Sequence, residues 1–223
     1  LFPFLAYLVF LTRNSSSNIS TSSQPFLSQS YRNSILFFAA VFSLFVIYAT
    51  SFVPYQANAS ALQFYGLTEN GFYKESKPFL EKEFRIKSPY TFWEVIKTAG
   101  WQMVNVLEYG QNTTSPDNVA ALKEIYDFII PELERFMENK PYDPQIYYVL
   151  GRMYRFGYEK LGYNDLEKGE RALKKGFNYS DLRLEYLNEF SRVLLLQGKF
   201  EEAEKSVKNY IEKVNFDEYF PYV

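Results

Sequence analysis

The chain has 223 residues, with 24 basic and 26 acidic side chains, a formal net charge of −2, one aromatic residue in five, and neither histidine nor cysteine. Lacking histidine, cysteine and a glycine-rich phosphate loop, it has no ligands for the usual zinc sites, no serine triad, no thiol nucleophile and no P-loop. No disulfide can brace it, so packing carries the fold, and the acidic balance argues against nucleic acid as a partner.

Residues 1–12 form an apolar run too short to cross a bilayer alone, and it reads as the end of a truncated transmembrane helix. Residues 13–34 contain nine serines among 22 positions and little apolar content, a flexible connector that cannot repay the entropy of ordering. Ile35 to Val53 is an uncharged stretch of 19 residues. As a helix it measures about 28 Å, the thickness of the hydrocarbon layer, so residues 35–54 are expected to span the membrane. A cleaved signal or a buried core helix would share that composition, but the internal position and the length favour a span. Arg13 and Arg32 precede it, whereas the first charge after it is Glu69 and the first lysine Lys74. The positive-inside bias therefore makes the connector cytoplasmic and everything after the span extracytoplasmic. Taking those two arginines from the 24 basic residues leaves 22 against 26 acids in the outer part.

Residues 55–140 read as an extracytoplasmic helical region. The span is expected to continue as a helix past Pro54 towards Gly66, with Asn70 offering a cap. A short amphipathic helix follows, carrying Phe79, Leu80 and Phe84 on one side. Ser88-Pro89 is a helix start signal, and Phe92, Ile96, Ala99, Met103, Val106 and Leu107 make a stripe that ends near Gly110. Gln111 to Asp117 is polar and turn-rich, a loop. Val119, Leu122, Ile125, Ile129, Leu133 and Phe136 then define a long helix, with Pro131 removing one backbone donor inside it.

Residues 141–223 carry an echo of period 34: Gly169, Leu173 and Gly176 recur as Ala203, Val207 and Tyr210. That is the period of the tetratricopeptide (TPR) repeat. Tyr147, Leu150, Gly151 and Tyr154 fit the signature of its first helix, and Gly169, Leu173, Gly176 and Asp181 fit the second. In the second copy Leu187, Phe190, Ser191 and Leu194 fill the first helix and Gly198-Lys199-Phe200 makes the turn. About six extra residues around Gly157 to Tyr163 are expected to form a lengthened loop. The fold class is all-α: a transmembrane helix followed by a TPR-like array of helical hairpins. Unrelated amphipathic hairpins give similar short patterns, and they stand as the alternative.

No catalytic residue, metal ligand or cofactor site emerges. Glu132, Glu134, Glu201, Glu202 and Glu204 fall on helix surfaces among lysines and read as a solvated face. Trp93 and Trp101 are eight apart and read as packing groups. Sequons at Asn14, Asn18, Asn58, Asn112 and Asn178 follow from composition. The candidate ligand-binding groove is the concave side of the repeats, where Tyr148, Arg152, Arg155, Asn188 and Arg192 fall on first-helix positions. Three guanidinium forks there suit a carboxylate or phosphate ligand. The competing reading has Glu185 and nearby acids neutralising them as ion pairs.

The layout as a whole, a span running into Phe52-Val53-Pro54-Tyr55-Gln56-Ala57-Asn58, helices, Asp143-Pro144, Tyr148-Val149-Leu150-Gly151-Arg152-Met153-Tyr154 and Gly198-Lys199-Phe200-Glu201-Glu202-Ala203-Glu204, resembles the C-terminal part of bacterial O-antigen ligase and polymerase-like membrane proteins. The resemblance implies a tail anchored in the bacterial inner membrane that docks or positions substrate for a glycan-transfer reaction, with the catalytic part absent from this stretch. Its partners would be the lipid bilayer and a protein or a lipid-linked glycan. A non-enzymatic TPR adaptor of envelope assembly, binding protein partners, is the alternative function.

Overall fold

The computed structural model describes residues 29–86, 92–111, 113–179 and 184–214. The apolar run 1–12, most of the connector, the Ser88-Pro89 start signal and Asp181 lie outside them. Among the described residues every element is helical: α1 Gln29–Ile47, a π-helical turn Tyr48–Phe52, α2 Val53–Glu69, α3 Tyr73–Arg85, α4 Phe92–Tyr109, α5 Pro116–Asn139, α6 Pro144–Phe156, a second π-helical turn Gly157–Leu161, α7 Leu166–Tyr179, α8 Leu184–Leu196 and α9 Phe200–Val214. The chain is all-α, with an apolar N-terminal helix followed by TPR-like hairpins.

The chain divides into two units, Leu1–Val46 and Ile47–Val223. In the first, residues 29–34, expected within the flexible connector, already belong to α1. Phe37, Phe38, Phe42, Leu44 and Phe45 all face outward, an arrangement that water disfavours and lipid does not. The helical stretch Asn33–Glu69, 37 residues, is long and apolar enough to cross a membrane by length and composition. At about 1.5 Å per residue it exceeds a hydrocarbon layer of about 30 Å, so part of it is left over for other packing.

The second unit uses that remainder. Ala57, Ser60, Ala61, Phe64 and Thr68 of α2 are buried, and Gln102 Nε2 of α4 donates to Thr68 Oγ1 at 2.9 Å. The turn after α2 needs a left-handed residue, supplied by Gly71 at φ 78°. From α3, Tyr73 and Leu80 are fully buried, and the Tyr73 hydroxyl donates to the Gln111 carbonyl at 2.6 Å. The loop expected over Gln111 to Asp117 is shorter than that. Ser115 is an N-cap accepting from the Asn118 N–H, Pro116 opens α5, and Asp117 lies in its first turn. Proline suits this position because its missing N–H would have no helical partner. Asp143 and Pro144 open α6 in the same way, Asp143 Oδ1 accepting from the Gln145 N–H at 3.0 Å.

One continuous hydrophobic cluster runs from Phe64 of α2 through Ile96 and Met103 of α4 and Leu122, Ile129 and Leu133 of α5 to Ile146, Leu150 and Met153 of α6. The boundary expected near residue 140 is thus a turn in the chain and not a break in the core. A smaller cluster, Leu166, Leu173, Tyr186 and Val193, ties the two hairpins together.

Helices α6 and α7 pack at very short range, which explains the small residues of the repeat signature. A Cβ on Gly151 would lie 2.2 Å from Leu173 Cγ, and one on Gly176 would lie 2.6 Å from Tyr147 Cβ. In the second hairpin Ala203 and Tyr210 are buried, whereas Val207 is exposed. The expected loop over Gly157 to Tyr163 is mostly helical instead. The π turn prolongs α6 to Leu161, and Gly162, at φ 76°, ends it. Tyr126 stacks on Tyr163 at 4.7 Å and lies against Gly157, so aromatic packing from α5 holds the extension in place.

Candidate functional site

The five groove residues start on α6 and α8. The contacts of α6 with α4, α5, α7 and α8 bury every residue from Ile146 to Phe156 except Tyr148, which is half-buried. A helix enclosed on that many sides has no open concave face. Arg152 and Arg155 are therefore interior residues, Arg155 only 4 % exposed.

A guanidinium cannot remain buried unpaired. Arg152 NH2 pairs with Glu108 of α4, and its Nε lies 3.8 Å from Glu189 Oε1, within ion-pair range but beyond a hydrogen bond. Arg155 Nε donates to Glu189 Oε2 at 2.8 Å and its NH1 to Glu159 Oε2 of the π turn at 2.6 Å. Arg192 NH1 reaches Glu189 Oε1 at 3.4 Å while its side chain stays 49 % exposed. Three arginines, 152, 155 and 192, thus converge on the buried carboxylate Glu189. With Glu108 and Glu159 the charges balance, three against three. Rings complete the surroundings. Arg152 lies 5.7 Å from the Trp101 ring centre and 5.6 Å from that of Tyr148, and Arg155 lies 3.9 Å from Phe156. Burial pushes the Tyr148 phenol above its ordinary pKa, opposed by the Arg152 charge.

Neutralisation by neighbouring acids is thus what happens to Arg152 and Arg155, through Glu108, Glu159 and Glu189 in place of the expected Glu185. Sequence reasoning passed over Glu189, although a signal was there. It sits three residues after Tyr186 and four before Val193, both buried, which places an acid inside the apolar stripe of α8. Of the five candidates, Arg192, Asn188 and Tyr148 retain access to solvent. Trp93 packs edge-on to Phe136 at 5.2 Å and Trp101 against Tyr148 at 5.5 Å, both in packing roles.

The surface acids behave as a solvated face: Glu132 pairs with Arg135, and Glu204 with Lys208 at 2.5 Å. Glu134 differs in part, accepting from the Tyr154 hydroxyl at 2.5 Å.

A second feature lies between α7, α8 and α9. It is a cavity of about 380 Å³ lined by Phe177, Leu187, Phe190 and Tyr210, with Lys174, Asn209 and Glu212 among its polar groups. Its apolar floor with a few polar edges suits a side chain from a partner better than a metal or a nucleotide.

No protein-family model matches the chain, and no curated protein matches it. Among solved structures it is similar to MamA, residues 41 to the end, from Desulfovibrio magneticus RS-1, at 20 % identity and a TM-score of 0.35, covering 70 % of this chain and 94 % of that one. It is also similar to the MamA RS-1 ArsTM double mutant, at 20 % identity and a TM-score of 0.34, covering 70 % and 93 %. At these scores the likeness adds nothing to the TPR-like assignment, which rests on the hairpins and their buried signature positions.

Proposed function

We propose that the chain is a membrane-anchored docking module, whose TPR-like hairpins hold a partner beside the bilayer on the extracytoplasmic side. The observation that carries this reading is the cavity at the α7, α8 and α9 hairpins, open and apolar-floored, in a region whose clustered charges are satisfied within the fold. Among the candidate groove residues, Arg192, Tyr148 and Asn188 remain open to a ligand, whereas Arg152 and Arg155 are committed to Glu189.

The finer reading is that the module is the tail of an O-antigen ligase or polymerase-like protein of the bacterial inner membrane, positioning a lipid-linked glycan or an associated protein. It is supported by the order of span, connecting helices and repeats. The second reading, a non-enzymatic envelope adaptor, shares the docking surface and lacks the enzyme upstream. Deleting residues 141–223 from the chromosomal gene separates them. Loss of glycan attachment at the cell surface, with membrane insertion retained, supports the ligase tail. Unchanged glycan transfer refutes it and leaves the adaptor. A reporter active only in the cytoplasm, fused after Val223, should be silent, and a strong signal overturns the topology.

A further inference from the structure

A second cavity, of about 370 Å³, lies between α2, α3 and α4. Asn58, Ala61, Leu62 and Tyr65 line it from α2, Glu83 from α3, and Glu94, Val95 and Thr98 from α4. Glu83 is only 1 % exposed, and neither of its carboxyl oxygens has a hydrogen-bond partner. Among the described residues it takes part in no ion pair either. A carboxyl group buried in this way must be neutralised, by a proton or by a cation from elsewhere. Desolvation does push its pKa up, to about 8, so it mostly keeps its proton at neutral pH and loses it just above.

The groups that face it settle what kind of cation would fit. Tyr65 from α2 brings an aromatic ring, Glu94 from α4 a second carboxylate on the same cavity, and Ala61, Leu62 and Val95 apolar walls. The neighbouring cation on α4, Lys97, is engaged by Glu94 at 3.1 Å and by Asp143 at 3.6 Å. On the side of α5, Phe128 packs against Phe84, the neighbour of Glu83, at 5.2 Å, and brings no charge. A hard metal dication requires six or more oxygen ligands in a polar shell, which these walls do not provide. An organic ammonium needs a carboxylate, an aromatic face and an apolar enclosure for its carbon atoms.

We infer that this cavity binds a primary ammonium group, with Glu83 as the counter-ion, Tyr65 as the aromatic face and Glu94 as a second carboxylate on its wall. The same chemistry is offered by a free alkylamine and by the ethanolamine headgroup of a phospholipid. Because α2 continues the apolar stretch that begins at Asn33, a headgroup is a direct candidate. The site lies on α2, α3 and α4 and stands whether or not the docking reading of the repeats does.

The test uses the full chain in phosphatidylcholine nanodiscs, titrated calorimetrically with n-butylammonium at pH 9. Saturable binding is expected. Glu83→Gln, which keeps the shape and removes the charge, should weaken it at least tenfold with helicity unchanged. In the parent protein the affinity should fall about tenfold for each pH unit below 8, because the carboxyl must first lose its proton. That measurement needs no variant and decides the matter if Glu83→Gln fails to fold. Repeating the titration in phosphatidylethanolamine discs identifies the source. Loss of butylammonium binding there means that the headgroup occupies the site, and equal binding means that a free amine does. Absence of binding in phosphatidylcholine discs, binding indifferent to Glu83→Gln, or an affinity that does not change with pH would overturn the inference.

Discussion

Glu189→Gln tests the account of the arginine cluster most directly. The substitution leaves the shape of the side chain but removes one of three acids that face three arginines. The shortest ion pair it abolishes is the one with Arg155 at 2.8 Å, followed by Arg192 at 3.4 Å and Arg152 at 3.8 Å. A unit pair at 4 Å in a medium of effective dielectric 20 is worth about 4 kcal/mol before desolvation is counted. Breaking a buried pair typically costs about 3 to 5 kcal/mol. Here Arg152 keeps Glu108 and Arg155 keeps Glu159, so the lower end applies, about 3 kcal/mol. For a domain of this size each kcal/mol moves the midpoint by about 2 to 4 °C, giving a fall of roughly 6 to 12 °C. Thermal unfolding of the full chain in detergent micelles, followed by circular dichroism, reads it. Salt should change the loss little, since Arg155 and Glu189 are both screened from solvent by the fold. A loss below about 1 kcal/mol, or one that disappears in molar salt, would mean that the cluster behaves as a surface network and would refute the reasoning.

Gly151→Ala forces a methyl group to 2.2 Å from Leu173 Cγ. With three Leu173 atoms within 2.8 Å of the new methyl, overpacking falls at the upper end of its usual range, about 3 kcal/mol, and less about 1 kcal/mol of helix propensity it predicts a net loss of about 2 kcal/mol in the same melt, so an unchanged midpoint would contradict the close packing of α6 on α7. Glu83 predicts the reverse of ordinary acid denaturation. Its folded-state pKa of about 8 lies above the usual carboxyl value of 4.5, so the native state holds a proton that the unfolded chain has released. Its contribution is therefore greatest below pH 4.5, falls as pH rises to 8 and then levels off. Glu83→Gln should flatten that slope in melts taken across the range, and a slope unchanged by the substitution would show that another group is responsible. A fragment of residues 141–223 should melt well below one of residues 68–223, because Ile146, Leu150 and Met153 share a core with α4 and α5. Equal midpoints would show that the hairpins stand alone.

What the sequence made legible is what depends on periodicity and local backbone chemistry. Tyr147, Leu150, Gly151 and Tyr154 could be placed on a buried face because each recurs at helical spacing, and the Asp143-Pro144 start and the Gly198 turn follow from the conformations those residues prefer. The π turn was not legible because nothing local separates an insertion that loops out from one that winds on. The stack of Tyr126 on Tyr163, 37 positions apart, decides it. The role of the arginines was illegible for a similar reason. Spacing put Arg152 and Arg155 on one side of a helix, but only the assembled fold shows that Glu108, 44 residues before Arg152, and Glu189 come to meet them. Burial of α6 on every side is a property of its neighbours, which no period in its own sequence records.

The winding-on of α6 makes the two hairpins unequal. In an array of equivalent repeats, a first helix can accept the second helix of the wrong copy, within one chain or between two, and such exchange is a characteristic failure of repeat proteins as they fold. Here α6 carries five more helical residues, Gly157–Leu161, whereas α8 stops at Leu196 and turns at once through Gly198. A mispaired α9 would meet a helix of the wrong length, so the irregular turn acts as a key that admits one order of assembly.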